Sequence, residues 1–275
     1  MDAREWLGLE STHNPMRWIL PITPKISVGS RFLFGGAALG AAIAALEGTT
    51  DRPVVWATAQ YLSFAPVGSV MDLDVHVSVS SRFTSQARVI GHVGDNEVIA
   101  VTAALGRREL DIEREFPTMP PVLAPSDCRP RDRHYEEESL GQYMDQLLAK
   151  SPDGQAAGGP TGHGEGRVCM WARPPEAFEP SATTLAVLGD WVPMGIGITS
   201  GEALSSNSLD NTLRVLDVHP TEWYLLEIET AGIRNGFGHG QIRIWGDDGR
   251  LQAIASQSVV TRRRKSKVAH DAKKL

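Results

Sequence analysis

The sequence predicts an α+β fold organised as a single-chain pseudo-dimer, one long antiparallel sheet with a buried helix in each half. Three observations carry this expectation. Residues 33–46 are apolar or small on every side and end at Gly48, and a helix of that kind must be wrapped by the rest of the fold. Runs of strand character follow it, among them 71–79, whose strict alternation puts five apolar residues on one sheet face. The second half of the chain then replays the first. An isolated antiparallel sheet curled around one helix leaves two edges open, and two such units side by side cover one edge of each.

The chain of 275 residues allows one large or two small domains. With 41% hydrophobic and 22% charged residues it has the composition of a folded globular chain rather than a fibrous or disordered one. The net charge of −6 argues against nucleic acid as the main partner. Two cysteines, Cys128 and Cys169, make no disulfide framework, so a cytoplasmic setting is expected. The first ten residues carry no apolar run of a signal peptide, and the longest apolar stretch falls short of the roughly 20 residues a bilayer requires, so no membrane partner is expected.

In the first half, the helix is followed by strands at 54–64, 71–79, 86–93 and 98–105, read as a four-stranded meander with a hairpin turn at Gly94-Asp95-Asn96. Prolines and then glycines mark 117–166 as a linker. Within it, 135–150 has apolar residues at helical spacing, and a short amphipathic helix is expected there. The second half reads as a strand at 168–172, a helix over 181–198 capped near Ser181, and strands at 213–216, 223–229, 240–245 and 251–260. The closing segments AVTAALGRR and ASQSVVTRR lie against each other, which sets Thr102 opposite Gln257. The predicted units are 1–116, a linker with a short helix at 117–165, and 166–275 with a basic tail.

No GxSxG, HExxH or Walker A sequence occurs, and the eight histidines are never paired at metal-ligand spacing, so neither metal nor cofactor is expected. The glycines of 195–201 read as a helix end and those of 236–240 as a loop entering a strand. What remains is a group of polar residues in the second half: Asp210 at a strand start, Thr230 at a strand end, and Gln257 within an apolar final strand. A buried glutamine needs partners, because an unpaired amide costs about 1–3 kcal/mol. Asp210 reads equally as a turn residue or surface acid.

At these residues the sequence resembles the bacterial acyl-CoA thioesterase II type, a double-hotdog family, from Phe32 to Arg263. Phe34-Gly35-Gly36 is similar to the family's FGGQ opening, and the stretch from Tyr61 to Gly68 to its YFLRPG strand end. Ser208-Leu209-Asp210-Asn211 resembles its SLDH motif, and Asp248-Gly249-Arg250-Leu251 followed by Gln257 resembles the DG(R)L…Q ending. The resemblance implies two tandem hotdog units sharing one continuous sheet, and a site in which an aspartate, a Thr or Ser, and a glutamine hold a water for attack on a thioester carbonyl. Carried over, these are Asp210, Thr230 and Gln257. Ala37 replaces the family's glutamine and Asn211 its histidine. The implied activity is hydrolysis of acyl-CoA to fatty acid and CoA, and a homo-oligomer is implied as well.

Asp210 would act as general base, with Thr230 and Gln257 fixing the water. Gly35 and Gly36 at a helix start would let backbone N–H groups reach the oxyanion, although tight helix packing explains the same glycines. Arg262, Arg263, Arg264, Lys265 and Lys267 are candidates for the phosphates of CoA or simply a solvated tail. Two rivals stand beside this reading. A hotdog hydratase would place a histidine where Val215 stands, and a non-catalytic acyl-thioester binder fits the losses at Ala37 and Asn211.

Overall fold

The computed structural model describes residues 2–132, 137–152, 166–175 and 178–264. The small, apolar residues of the first helical stretch fold as α1 (Gly35–Thr50), buried from Gly36 to Leu46 and ended by Asp51 in the left-handed region. The strands that wrap it are β1 (Arg17–Pro21), β2 (Val54–Tyr61), β3 (Val70–Ser80), β4 (Thr84–Val93) and β5 (Asn96–Gly106). The turn between β4 and β5 is the predicted tight one, with Val93 paired to Asn96 and Gly94 at φ 58°.

The meander holds for β3, β4 and β5 but not for β2. That strand crosses to the far side and pairs with β5, and β1 takes the free edge of β3. β2 begins only three residues after the helix ends, and both its edges are used: one by β5 and the other by the second half. Strand propensity carries no information about which edge a strand will choose.

The second half repeats this order. After β6 (Asp145–Leu148) and β7 (Arg167–Arg173) come α2 (Ala182–Leu188) and α3 (Val192–Ser200). The remaining strands are β8 (Leu204–Ser208), β9 (Asp210–Val215), β10 (Tyr224–Arg234), β11 (Phe237–Gly246) and β12 (Leu251–Arg263). The long sheet runs β1-β3-β4-β5-β2-β9-β12-β11-β10-β7-β6, with β8 pairing β12 beside β9 and two-residue strands at either end. Its two halves meet antiparallel at β2 and β9, where Thr58 opposes Thr212 and their hydroxyls lie 3.1 Å apart. This is the double hotdog that the sequence led us to expect: helical segments in each half, α1 in the first and α2 with α3 in the second, each set wrapped by half of one continuous sheet. The helices also touch each other, for Gly40 of α1 lies against Thr183 of α2, whose hydroxyl donates to the Gly40 carbonyl at 3.3 Å.

The register corrects one alignment. Thr58 pairs with Thr102 as Thr212 pairs with Ser256, so the first-half counterpart of Gln257 is Ala103, not Thr102. Thr102 is exposed on the outer face, whereas Gln257 points toward the helices and is 2% exposed. The expected helix within 135–150 is also replaced. Its described part is a 3₁₀ turn, Leu140–Tyr143, followed by β6, and residues 133–136 lie outside the described residues. β6 pairs with β7, where an open sheet edge outweighs a short run of helical periodicity. No helix among the described residues is long and apolar enough to cross a membrane.

Candidate functional site

The helix predicted over 181–198 is two helices, and the break between them builds the site. Ser181 caps α2 by accepting the N–H of Thr184 at 3.1 Å. Pro193 stands in the first turn of α3, where its missing N–H does no harm. In one continuous helix the same residue would leave the carbonyl of Gly189 without its partner four residues on. That carbonyl instead accepts from the Asn211 amide at 3.5 Å. Between the helices, Gly189-Asp190-Trp191 turns the Asp190 carboxylate inward, 6% exposed, to the junction of the two units.

Asp190 is held from three directions. Its Oδ2 accepts the N–H of Gly36, at the start of α1, at 2.6 Å. Its Oδ1 accepts from the Gln257 amide. The same amide nitrogen lies 3.2 Å from Ser208 Oγ, and the Gln257 carbonyl accepts the Val192 N–H at 3.2 Å, at the start of α3. Ser208 also hydrogen-bonds the carboxylate and favours its charged form. Burial opposes all three partners and wins: it pushes the Asp190 carboxyl up from 3.8 to about 7. A carboxyl balanced near neutrality and held by oriented donors is suited to general acid–base work.

The paired glycines make this approach feasible. A Cβ on Gly35 would sit 2.8 Å from Asp190 Oδ2, and one on Gly36 would sit 2.8 Å from Asp190 Cβ and 3.0 Å from the Ala186 carbonyl. Close packing and site building are therefore one requirement here. The Gly36 N–H is committed to the carboxylate rather than turned toward an incoming carbonyl.

Of the residues singled out from the sequence, Gln257 joins this cluster. Asp210 and Thr230 do not hydrogen-bond it. Asp210 Oδ1 accepts the Ser258 N–H at 2.7 Å, at the irregular passage between β8 and β9, and Thr230 Oγ1 accepts from Thr199 at 2.9 Å. All three border one cleft of about 420 Å³ with His239, Gln241 and Ser258. Asn211 is fully buried, and Ala37 is closed within α1. Arg262, Arg263 and Arg264 are exposed at the end of β12. Arg263 pairs with Glu202 at 3.3 Å, six residues and hence about 20 Å along the strand from Gln257. Lys265 and Lys267 lie outside the described residues. Asp190 was not singled out from the sequence because 181–198 reads as one apolar helix, and Ser208 entered only as part of the Ser208-Leu209-Asp210-Asn211 stretch. The available signal was an acid after glycine, three residues ahead of a proline.

Residues 125–261 match a family model described as the acyl-CoA thioesterase C-terminal domain. No curated protein sequence matches the chain. Among solved structures, a presumed thioesterase from Novosphingobium aromaticivorans is 31% identical, with 92% of this chain and 97% of that one covered at a TM-score of 0.83. An acyl-CoA thioesterase II from Mycobacterium marinum is 17% identical, with coverage of 95% and 98% and a TM-score of 0.75. A protein of hot dog fold from Alicyclobacillus acidocaldarius is 16% identical, with coverage of 96% and 100% and a TM-score of 0.82. These last two likenesses concern the fold.

Proposed function

Because the chain belongs to the acyl-CoA thioesterase family and is a thioester hydrolase, we propose that it cleaves acyl-CoA to free acid and CoA with Asp190 as general base, assisted by Gln257 and Ser208. The observation that carries the assignment is the buried carboxylate bound at once by Gly36, Gln257 and Ser208. The reading keeps the aspartate, hydroxyl and amide trio expected from the sequence, moves the first two roles from Asp210 and Thr230 to Asp190 and Ser208, and leaves Gln257 in place.

A thioester needs no strong protein nucleophile, since its carbonyl is electrophilic and its thiolate leaves readily. Water attacks the carbonyl carbon while Asp190 takes one of its protons, so the C–O bond forms as negative charge gathers on the carbonyl oxygen. Collapse breaks the C–S bond, and the thiolate leaves as CoA. A carboxyl poised near 7 gives up the captured proton readily, to sulfur or to solvent. Gln257 keeps the carboxylate from turning away, because its carbonyl is anchored on α3 while its amide holds Asp190. A cytoplasmic homo-oligomer remains part of this proposal.

Release of free thiol from a panel of acyl-CoAs tests the reading. Wild-type protein turns over at least one member. Gln257→Ala and Ser208→Ala each lower kcat by roughly 10-fold or more by loosening the base. Asp210→Ala stays within a few-fold of wild type, while leaving the Ser258 N–H without its acceptor costs about 1 kcal/mol of stability. Loss of turnover in Asp210→Ala, with full activity in Ser208→Ala, returns the base to Asp210. Binding without turnover by the wild type supports the non-catalytic rival.

A further inference from the structure

The charge that develops on the thioester carbonyl needs a donor, and the Gly36 N–H is already held by the base. Buried polar atoms without partners mark places where a ligand's polar groups are expected. Among the described residues, three of the five such side-chain atoms belong to residues near Asp190 in the fold or the chain: Tyr61 Oη, Trp191 Nε1 and Asn211 Oδ1. Trp191 follows Asp190 in the chain, and Asn211 donates to the Gly189 carbonyl just before it.

Tyr61 is the most informative of the three. It ends β2, so it comes from the first unit, whereas Asp190, Ser208 and Gln257 come from the second. Its backbone N–H bonds the Leu209 carbonyl at 2.9 Å, which places the ring across the junction beside Asn211. The phenol oxygen lies 3.1 Å, and Asp190 Oδ2 2.8 Å, from the single point where a Gly35 Cβ would stand. Glycine at position 35 thus lets the hydroxyl and the base both pack closely against the start of α1. Burial, and then the charge of Asp190, hold the Tyr61 phenol well above its ordinary value of 10, outweighing the neighbouring Asn211 amide, which pulls the other way. It therefore keeps its proton at any working pH and is a hydrogen-bond donor.

We propose that the Tyr61 hydroxyl is a catalytic group of this site, donating a hydrogen bond to the thioester carbonyl oxygen as Asp190 directs water to the carbonyl carbon. The inference rests on the Asp190 reading above. No proton is transferred from Tyr61: its hydrogen bond shortens as charge builds on the oxygen and relaxes when the C–S bond breaks. Each unit of the pseudo-dimer then contributes one half of the chemistry, the electrophilic side from β2 and the basic side from the helix break.

Tyr61→Phe removes a single oxygen and keeps the ring. On the substrate turned over best, kcat falls about 100-fold with KM within 3-fold, the scale of one lost oxyanion donor. Thermal stability is unchanged or higher, because a buried hydroxyl without a partner has been removed. A binding comparison supplies the readout that packing alone does not move. The wild type binds an S-(2-oxoalkyl)-CoA, which keeps a carbonyl, more tightly than the S-alkyl-CoA that lacks it, and Tyr61→Phe loses that preference. A variant with wild-type kcat and an intact preference for the carbonyl overturns the inference. So does a variant whose melting temperature drops sharply while the preference survives. If Asp190→Asn abolishes turnover in the same assay, the base assignment stands whatever Tyr61 does. If Asp190→Asn is fully active, the failure belongs to that earlier reading.

Discussion

Replacing Asp190 by asparagine keeps the size of the side chain and removes its charge, and the structure specifies two opposite consequences. The carboxyl titrates near 3.8 in an unfolded chain and at about 7 in the fold. Between those values the unfolded state binds fewer protons than the folded one, so stability falls as pH rises, and above about 7 the whole penalty is present. At 1.36 kcal/mol per pH unit of difference it amounts to about 4 kcal/mol, of which about 2–3 kcal/mol accumulates between pH 5 and pH 8. Asp190→Asn lacks this component. Its melting temperature should vary less with pH, by roughly 5 °C over that interval for a chain of this size. The asparagine still accepts from Gly36 but sets an N–H₂ against the Gln257 amide or loses one bond, so part of the absolute gain is spent. Activity moves the other way. Wild-type kcat rises with pH through about 7 as the base ionises, and the variant loses about 10²–10⁴-fold. Thiol release and thermal melts across the same buffers measure both. A variant retaining a tenth of wild-type kcat, or a wild-type rate profile whose acid limb lies near pH 4, refutes the reasoning.

Two further outcomes follow from packing and burial. Gly36→Ala drives a methyl group against Asp190 Cβ and the Ala186 carbonyl, and the backbone side of that contact cannot rotate away. It should cost about 1–3 kcal/mol in denaturant unfolding and lower kcat together with stability. Burial, with Glu227 nearby, pushes the Cys169 thiol up to about 12. Iodoacetamide at pH 8 should therefore leave Cys169 unlabelled in native protein and label it only after unfolding, as peptide mass analysis would show.

The features legible in the sequence are local or periodic ones. The all-apolar stretch gives α1, the alternation at 71–79 gives β3, and Gly94-Asp95 gives the hairpin between β4 and β5. The duplication was readable because both halves carry the same order of elements. What the sequence hides is set by contacts distant along the chain. β2 chooses β5 over its neighbour β3, and β6 becomes a strand only because β7 offers an edge. Aligning AVTAALGRR with ASQSVVTRR without register shifts Gln257 by one residue, and in a sheet one residue exchanges the two faces. The site shares this character. That Gln257 would be buried with partners was legible because an amide in an apolar strand demands them. Asp190 was passed over because its partners come from residues 36, 208 and 257, and because the Gly189 to Pro193 break was read as part of a helix.

The pairing of Thr58 with Thr212 relates the two halves by a near-twofold rotation, and that rotation carries Gln257 onto Ala103. A symmetric pair of identical subunits must reproduce every working group twice, whether or not both copies are useful. In this chain duplication has lifted that obligation, and the alanine-bearing half is free to serve as a wall and a donor platform for its sibling. On the site proposed above, turnover capacity is counted once per polypeptide, so a tight-binding titrant should reach saturation at one equivalent per chain and not at two.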